Sequence, residues 1–226
     1  DALKALRCDA RLLNEDFSIE WEDENIWHWR PDPGKWPGVE SKWSGKDSKA
    51  TGGRMNNLAG TLAAVHLLQS RLPVQPHHVD ALSGLKVPGR QELIRGDVTR
   101  LFDVAHNHRA VADLAGMLRR SRPRGNTRAV FSLLKDKDLF SIVEEIKDQV
   151  DYWYLAEVES ERGMSVAELQ TGLQGMSIAD LDKCHGPADA YTQALLDSTP
   201  GDWVVVFGSF YLVGAILGSF SKRTVA

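Results

Sequence analysis

The stretch that decides the fold class is residues 99–107, Thr-Arg-Leu-Phe-Asp-Val-Ala-His-Asn. Its apolar residues predict a strand that ends near Asp103. The residues that follow repeat apolar side chains at helical spacing, at Val111, Leu114 and Leu118. The stretch therefore predicts a strand that runs directly into a helix, which is the repeating unit of α/β proteins.

The same alternation continues through the rest of the chain. Strands are predicted at residues 99–104, 128–134, 152–156 and 203–207. Helices are predicted at residues 107–119, 139–149, 165–172, 187–197 and 210–220. Alternating elements of these lengths imply an α/β fold with a mostly parallel sheet and helices on both faces.

Residues 204–220 form a nearly uncharged run of about membrane-spanning length. Gly208 and Ser209 interrupt this run, and the β-branched residues before them are typical of a buried parallel strand. We therefore predict a strand, a tight turn and a buried helix, and no membrane association.

The first part of the chain has a different pattern. Five of the seven tryptophans lie before residue 50. A hairpin is predicted from residues 17–21 and 26–29, an exposed loop from 30–53, and helices from 56–71 and 76–85. The tryptophans could stack on sugars or bases, but packing against a core is the interpretation we favour, because no polar residues converge there.

The first of these two helices has two asparagines at its predicted start, Asn56 and Asn57, and either could cap it. The Val-Pro-Gly-Arg turn at residues 87–90 breaks the helical pattern, and we place a domain boundary close to it.

Composition excludes several classes of protein. The 226 residues amount to about one and a half domains, and a net charge of −4 argues against a nucleic-acid binder. Cys8 and Cys184 lie far apart without a CxxC motif, which excludes a disulfide scaffold and a cysteine-based zinc site and favours the cytoplasm. The sequence begins at Asp1 with no charged-then-apolar leader, so we expect a piece of a longer protein.

Candidate binding residues lie at or just after the ends of two predicted strands, because ligands of open α/β sheets bind at the carboxyl ends of strands. Asp103 could accept hydrogen bonds from ribose hydroxyls, and His106 could contact a phosphate oxygen. The alternative is that Asn107 caps the helix and the other two are turn residues.

Two further residues have similar alternatives. Ser209 follows a glycine that lets the backbone approach a ligand, or it caps the next helix. Arg90 could pair with phosphate through its planar guanidinium, or it is a solvated surface residue.

Other motifs give weaker signals. His77 and His78 lack a third metal ligand, and Cys184-His185 lacks the features of a nucleophile and its base. Asp136 and Asp138 are interpreted as helix capping. The sequence contains no G-x-x-x-x-G-K-[ST] motif, so this chain lacks the usual phosphate-binding loop.

Six short segments, in this order, resemble the bifunctional folylpolyglutamate synthase/dihydrofolate synthase family of the Mur ligase superfamily. They lie at residues 57–64, 87–90, 102–107, 135–138, 162–163 and 206–210, of which Asp-Val-Ala-His-Asn and Gly-Ser-Phe are the most specific. The resemblance covers essentially the whole chain but only about the C-terminal half of the family.

The resemblance implies two domains. Residues 1–88 correspond to the C-terminal part of the central ATP-binding domain without its P-loop, and residues 89–226 to a complete, Rossmann-like C-terminal domain. The P-loop, the Mg²⁺ ligands and most of the pterin pocket would lie in a missing N-terminal half, and a GKGT-type loop is expected upstream.

The implied reaction is ATP-dependent addition of L-glutamate to dihydropteroate or to folates through an acyl phosphate. The chain alone would then be inactive, with no certain catalytic residue and no metal ligand of its own. We expect a cytoplasmic monomer.

The resemblance also implies roles for five residues: Asn57 would contact the nucleotide base, Arg90 the ATP phosphates and Asp103 the ribose region. His106 would help to position phosphate, and Ser209 would lie on the glutamate side.

The chain departs from the family at His108, where the family usually has proline, and in a longer loop at residues 30–53, before Asn57. Two other functions stay open: a different Mur-type amide ligase, such as one acting on a peptidoglycan precursor, and a non-catalytic nucleotide-binding module.

Overall fold

The computed structural model describes residues 10–22, 26–36, 43–46, 52–83, 87–121, 123–184 and 186–223. The chain divides into two compact units, Asp1–Leu85 and Lys86–Ala226. Among the helices of the described residues, none has both the length and the apolar character needed to span a bilayer.

The first unit combines a small antiparallel sheet with two helices. The strands are β1 (Phe17–Trp21), β2 (Ile26–Pro31) and β3 (Ser44–Lys46), in the order β1-β2-β3. The helices are α1 (Gly52–Leu68) and α2 (Pro76–Ser83). The predicted hairpin is confirmed.

Tryptophans form much of the core of this unit. Trp27, Trp29, Trp36 and Trp43 are buried together with apolar residues of α1, whereas Trp21 is 43% exposed. The Trp29 and Trp36 rings meet edge to face with centroids 5.7 Å apart, a favourable aromatic geometry. Core packing therefore explains four of the five tryptophans.

Two predictions in the first unit were wrong. The loop predicted at residues 30–53 contains β3, which pairs with β2. Helix α1 begins at Gly52, so neither Asn56 nor Asn57 caps it. The helix begins before the asparagines, and Met55, the residue just before Asn56, is buried in the core. The predicted end of the second helix, beyond residue 83, lies outside the described residues.

The second unit contains a six-stranded sheet. Its strands are β4 (Glu92–Ile94), β5 (Thr99–Asp103), β6 (Thr127–Phe131), β7 (Tyr152–Ala156), β8 (Leu181–Cys184) and β9 (Trp203–Phe207). The order is β4-β5-β9-β6-β7-β8, and only the β4–β5 pair is antiparallel. The mostly parallel α/β fold is thus confirmed. The sequence pattern missed only β4 and β8, the two edge strands.

Five helices cover the two faces of this sheet. They are α3 (His108–Ser121), α4 (Leu139–Ile146, continued by a short 3-10 turn), α5 (Val166–Gly175), α6 (Pro187–Leu196) and α7 (Phe210–Arg223). Buried residues of α3, α4 and α5 pack in one core cluster. Buried residues of α6 and α7 pack in the other.

The long apolar run near the C-terminus forms β9, a turn at Gly208 and Ser209, and α7. Every residue of β9 is buried. The helix is not buried all round: Leu212, Val213 and Ile216 are buried, whereas Phe210 and Tyr211 are about half exposed. The predicted strand and turn are confirmed, and the predicted buried helix is instead amphipathic.

Candidate functional site

The topology predicts a crevice beside β9. The chain leaves β5 for α3 on one face of the sheet, whereas it leaves the neighbouring β9 for α7 on the opposite face. Adjacent loops that diverge in this way leave a gap at the carboxyl ends of their strands, where open α/β sheets bind ligands.

Asp103 lies at this edge, as the last residue of β5 and opposite Phe207 of β9. Its side chain is buried, and its Oδ1 accepts a hydrogen bond from the Ala105 N–H at 2.9 Å. Burial raises the pKa of Asp103 from 3.8 to about 6, although the Ala105 and Gln91 N–H groups and the Arg90 charge act in the opposite direction. The carboxylate is therefore incompletely compensated, as is common in binding sites.

The turn that carries Arg90 is held against the end of β5. The Val104 N–H donates to the Gly89 carbonyl at 2.7 Å, and the Arg90 N–H donates to the Val87 carbonyl. Gly89 has φ +69°, and a Cβ there would lie 2.8 Å from Val213. Only glycine fits this close left-handed position. The turn brings Arg90 to the site, although Arg90 precedes Asp103 by 13 residues in the sequence.

His106 has a defined orientation. Its Nδ1 lies 2.8 Å from the Val104 carbonyl oxygen. Because that oxygen can only accept, Nδ1 carries the hydrogen and Nε2 is left for another partner. The imidazole packs on the Phe210 ring, with centroids 5.2 Å apart.

The Gly208–Ser209 turn is also close to this edge. Gly208 has φ +109°, and its N–H donates to the Ala105 carbonyl at 2.9 Å, which ties the loops after β5 and β9 together. Ser209 is buried, and its Oγ accepts the Leu212 N–H at 3.1 Å. The helix-capping alternative for Ser209 is thus observed.

The structure brings Arg90, Asp103 and His106 to one edge of the second unit. Asn57 belongs to the first unit, where it is an exposed residue of α1. Sequence reasoning missed the contribution of Phe210, which contacts both His106 and Arg90. The only signal for it was its place in the Gly-Ser-Phe segment.

Residues near the site have the capping roles that the sequence allowed. Asn107 caps α3, since its Oδ1 accepts the Ala110 N–H at 3.0 Å. Asp138 likewise caps α4. Asp136 does not cap a helix, and this prediction was wrong: it pairs with Lys137 and Arg162, whose hydrogen bonds lower its pKa to about 2.

The remaining candidates do not assemble into a site. The His77 and His78 rings meet edge to face, with centroids 4.1 Å apart. His108, at the family's proline position, begins α3 and pairs with Glu145. His185 lies outside the described residues. Among the residues that the structure describes, no group of three or more His, Cys, Asp or Glu is arranged to hold a metal.

Residues 89–210 match the family described as Mur ligase, glutamate ligase domain. The chain belongs to the Mur ligase family. The matched glutamate ligase domain includes Arg90, Asp103, His106 and Ser209, but not Asn57.

Relatives of this Mur ligase chain share one description. The dihydrofolate synthase/folylpolyglutamate synthase of Escherichia coli K12 is 32% identical over 169 residues, which are 74% of this chain and 38% of that protein. The protein of the same description from Buchnera aphidicola subsp. Schizaphis graminum is 25% identical over 87% of this chain and 46% of its own length.

Solved structures are also similar to this chain. Escherichia coli FolC in complex with DHPP and ADP has a TM-score of 0.79 and 26% identity, over 99% of this chain and 50% of that one. The Yersinia pestis bifunctional folylpolyglutamate synthase/dihydrofolate synthase complexed with AMPPNP and Mn ion has a TM-score of 0.76 and 25% identity, over 98% and 50%. This chain therefore spans about half the length of the proteins it matches.

Proposed function

We propose that this chain is the C-terminal portion of an ATP-dependent ligase that adds L-glutamate to dihydropteroate, to folates or to both, through an acyl phosphate. The observation that carries the proposal is the convergence of Arg90, Asp103 and His106 at one crevice of a glutamate ligase domain. The relatives with this activity in their names support the choice of substrates.

The chemistry of the three residues suits a nucleotide. A carboxylate such as Asp103 accepts hydrogen bonds from ribose hydroxyls. Arg90 presents a planar set of donors that matches phosphate oxygens. His106 directs its Nε2 away from the backbone and can meet a phosphate oxygen when protonated. We assign these residues to the ATP side of the site.

The two other assigned residues complete the proposal. Asn57 would contact the nucleotide base. Ser209 would lie on the glutamate side, and because its hydroxyl is buried as a helix cap, we assign that role to the turn it supports.

We further propose that residues 1–88 belong to the central ATP-binding domain and residues 89–226 to the C-terminal domain. The P-loop and the Mg²⁺ ligands would lie in an N-terminal half, so this chain alone would not turn over. The parent enzyme would be a cytoplasmic monomer.

A chimera tests the proposal directly. The N-terminal half of the Escherichia coli relative would be joined to this chain, and ATP-dependent incorporation of labelled L-glutamate into dihydropteroate and into folate would be measured. We expect glutamate addition by the chimera and none by either half alone. The ratio of the two products would show the substrate preference.

Two outcomes would contradict the proposal. Turnover by this chain without an N-terminal half would refute the division of the active site. A folded chimera that hydrolyses ATP but adds glutamate to neither acceptor would refute the ligase assignment, and nucleotide-linked sugars would then be tested as acceptors.

A non-catalytic nucleotide-binding module is the second candidate, because Arg90, Asp103 and His106 could contact a ribose and a phosphate although none of them is assigned to catalysis. Calorimetry of the isolated chain with ATP separates the two. A self-sufficient module would bind with measurable affinity, whereas the ligase proposal expects weak binding because most phosphate contacts would lie elsewhere.

A further inference from the structure

Phe210 is the first residue of α7 and is 54% exposed. Exposed aromatic residues are common on protein surfaces, so exposure alone indicates nothing. The distinguishing feature of this ring is its pair of neighbours. The His106 imidazole packs against it at a centroid distance of 5.2 Å, and the Arg90 guanidinium carbon lies 5.8 Å from its centroid.

These three side chains come from three separate segments. Arg90 lies in the turn before β4, His106 in the loop after β5, and Phe210 at the start of the helix after β9. The hydrogen bond from the Gly208 N–H to the Ala105 carbonyl fixes the second and third segments together. The ring therefore emerges from a rigid turn.

The Gly208 position permits no other residue. Its φ is +109°, and a Cβ there would overlap the Ser132 carbonyl oxygen at 2.1 Å. This restriction keeps the helix start, and with it the Phe210 ring, at a defined place beside the crevice.

An aromatic ring in this position restrains both neighbours. The negative face of the ring attracts a guanidinium, and tilted ring pairs are favourable. An exposed arginine otherwise samples many rotamers, and ordering it on binding an anion costs conformational entropy. We propose that Phe210 is a positioning residue that holds Arg90 and His106 in place for an anionic group. The effect of this positioning on ATP binding rests on the proposed function.

The first test needs neither nucleotide nor a second protein half. In NMR spectra of this 226-residue chain, ring-current shifts from Phe210 should act on the His106 ring protons and the Arg90 side chain. Phe210→Leu should remove these shifts, and Phe210→Tyr should retain them. Phe140→Leu is the matched control, because Phe140 is also near a helix start and is 64% exposed.

The second test uses the chimera described above. Phe210→Leu should raise the KM for ATP roughly three- to tenfold, the range expected when one flexible side chain must be ordered on binding, and change kcat less than about twofold. Phe210→Tyr should restore the KM, whereas Phe140→Leu should leave it unchanged.

The two tests separate this inference from the proposed function. Unchanged His106 and Arg90 resonances in folded Phe210→Leu would overturn the positioning role, whatever the chimera does. Equal KM effects of Phe210→Leu and Phe140→Leu would overturn it as well. A chimera without ligase activity would refute the proposed function, and the NMR result would still decide the role of Phe210.

Discussion

Two buried aspartates lie at opposite ends of neighbouring strands in the same sheet and have different surroundings. Asp202 precedes the first residue of β9, and Asp103 is paired with the last residue of that strand. Both are nearly inaccessible to solvent. The comparison distinguishes a carboxylate that stabilises the fold from one that is available to a ligand.

Asp202 is well compensated. Its carboxylate accepts the Asn126 N–H at 2.8 Å and the Thr199 N–H at 3.0 Å. The buried guanidinium of Arg128 lies 3.3 Å from it and also stacks over the Tyr152 ring at 4.5 Å. These contacts join the amino ends of β6, β7 and β9, so the role of Asp202 is structural.

Asp103 is compensated less well than its burial requires, which is why its pKa is raised. A ligand hydroxyl or cation at the crevice would supply the missing stabilisation. Burial of a carboxylate alone therefore does not identify a site, whereas burial with incomplete compensation at a strand end indicates a candidate site.

Removing Asp202 should have the largest effect on stability. Asp202→Ala removes the carboxylate oxygens that accept the Asn126 and Thr199 N–H groups, and it leaves Arg128 buried without its anion. This loss should cost about 3–5 kcal/mol of unfolding free energy. Urea unfolding of the chain measures this loss. Asp202→Asn, which keeps the size of the side chain, should lose less. Equal stability of Asp202→Ala and Asp103→Asn would remove the contrast between the two sites.

Asp103 should instead make stability depend on pH. Because its folded pKa is raised from 3.8 to about 6, the folded state holds this proton more tightly than the unfolded chain. Its stabilising contribution is complete below about pH 4 and is lost as pH rises through 6. The shift corresponds to roughly 3 kcal/mol. Asp103→Asn should therefore gain stability relative to the natural chain between pH 4 and pH 7. A difference in unfolding free energy between Asp103→Asn and the natural chain that does not change with pH would contradict this expectation.

The same substitution should weaken nucleotide binding. A neutral amide accepts a weaker hydrogen bond from a ribose hydroxyl than a carboxylate does, so Asp103→Asn in the chimera should raise the KM for ATP about tenfold. Steady-state kinetics at saturating acceptor measures it. Asp202→Asn serves as the control, and an equal rise in KM there would attribute the effect to the fold.

The smallest effect is expected at the helix cap beside the site. Asn107→Ala removes the acceptor for the Ala110 N–H and should cost about 1 kcal/mol of unfolding free energy. The pH dependence due to Asp103 should persist in this variant. Its disappearance would show that the Asp103 environment depends on the cap.

The central strands were predictable because each contains a run of apolar residues, such as Leu101-Phe102 in β5 and the whole of β9. The edge strands β4 and β8 were missed because they are short and only partly buried. Strand β3 was missed because its sequence, Ser-Gly-Lys, carries no strand signal, and pairing with β2 alone makes it a strand.

The candidate site was predictable in part. Asp103 and His106 lie close together along the chain, so one strand-to-helix junction indicated both. The contacts of Phe210 with His106 and Arg90 join residues about 100 or more positions apart. No local pattern reports such contacts.

The amino-acid sequence by itself determined the α/β alternation, the polar residues at or just after the ends of β5 and β9, and the family resemblance. All of these depend on residues close together in the chain or on short ordered segments. The tertiary structure decided which carboxylate is neutralised by Arg128, which remains under-compensated, and which ring holds Arg90. Burial and Coulomb interactions depend on distances between residues that are remote in sequence, and folding alone sets those distances.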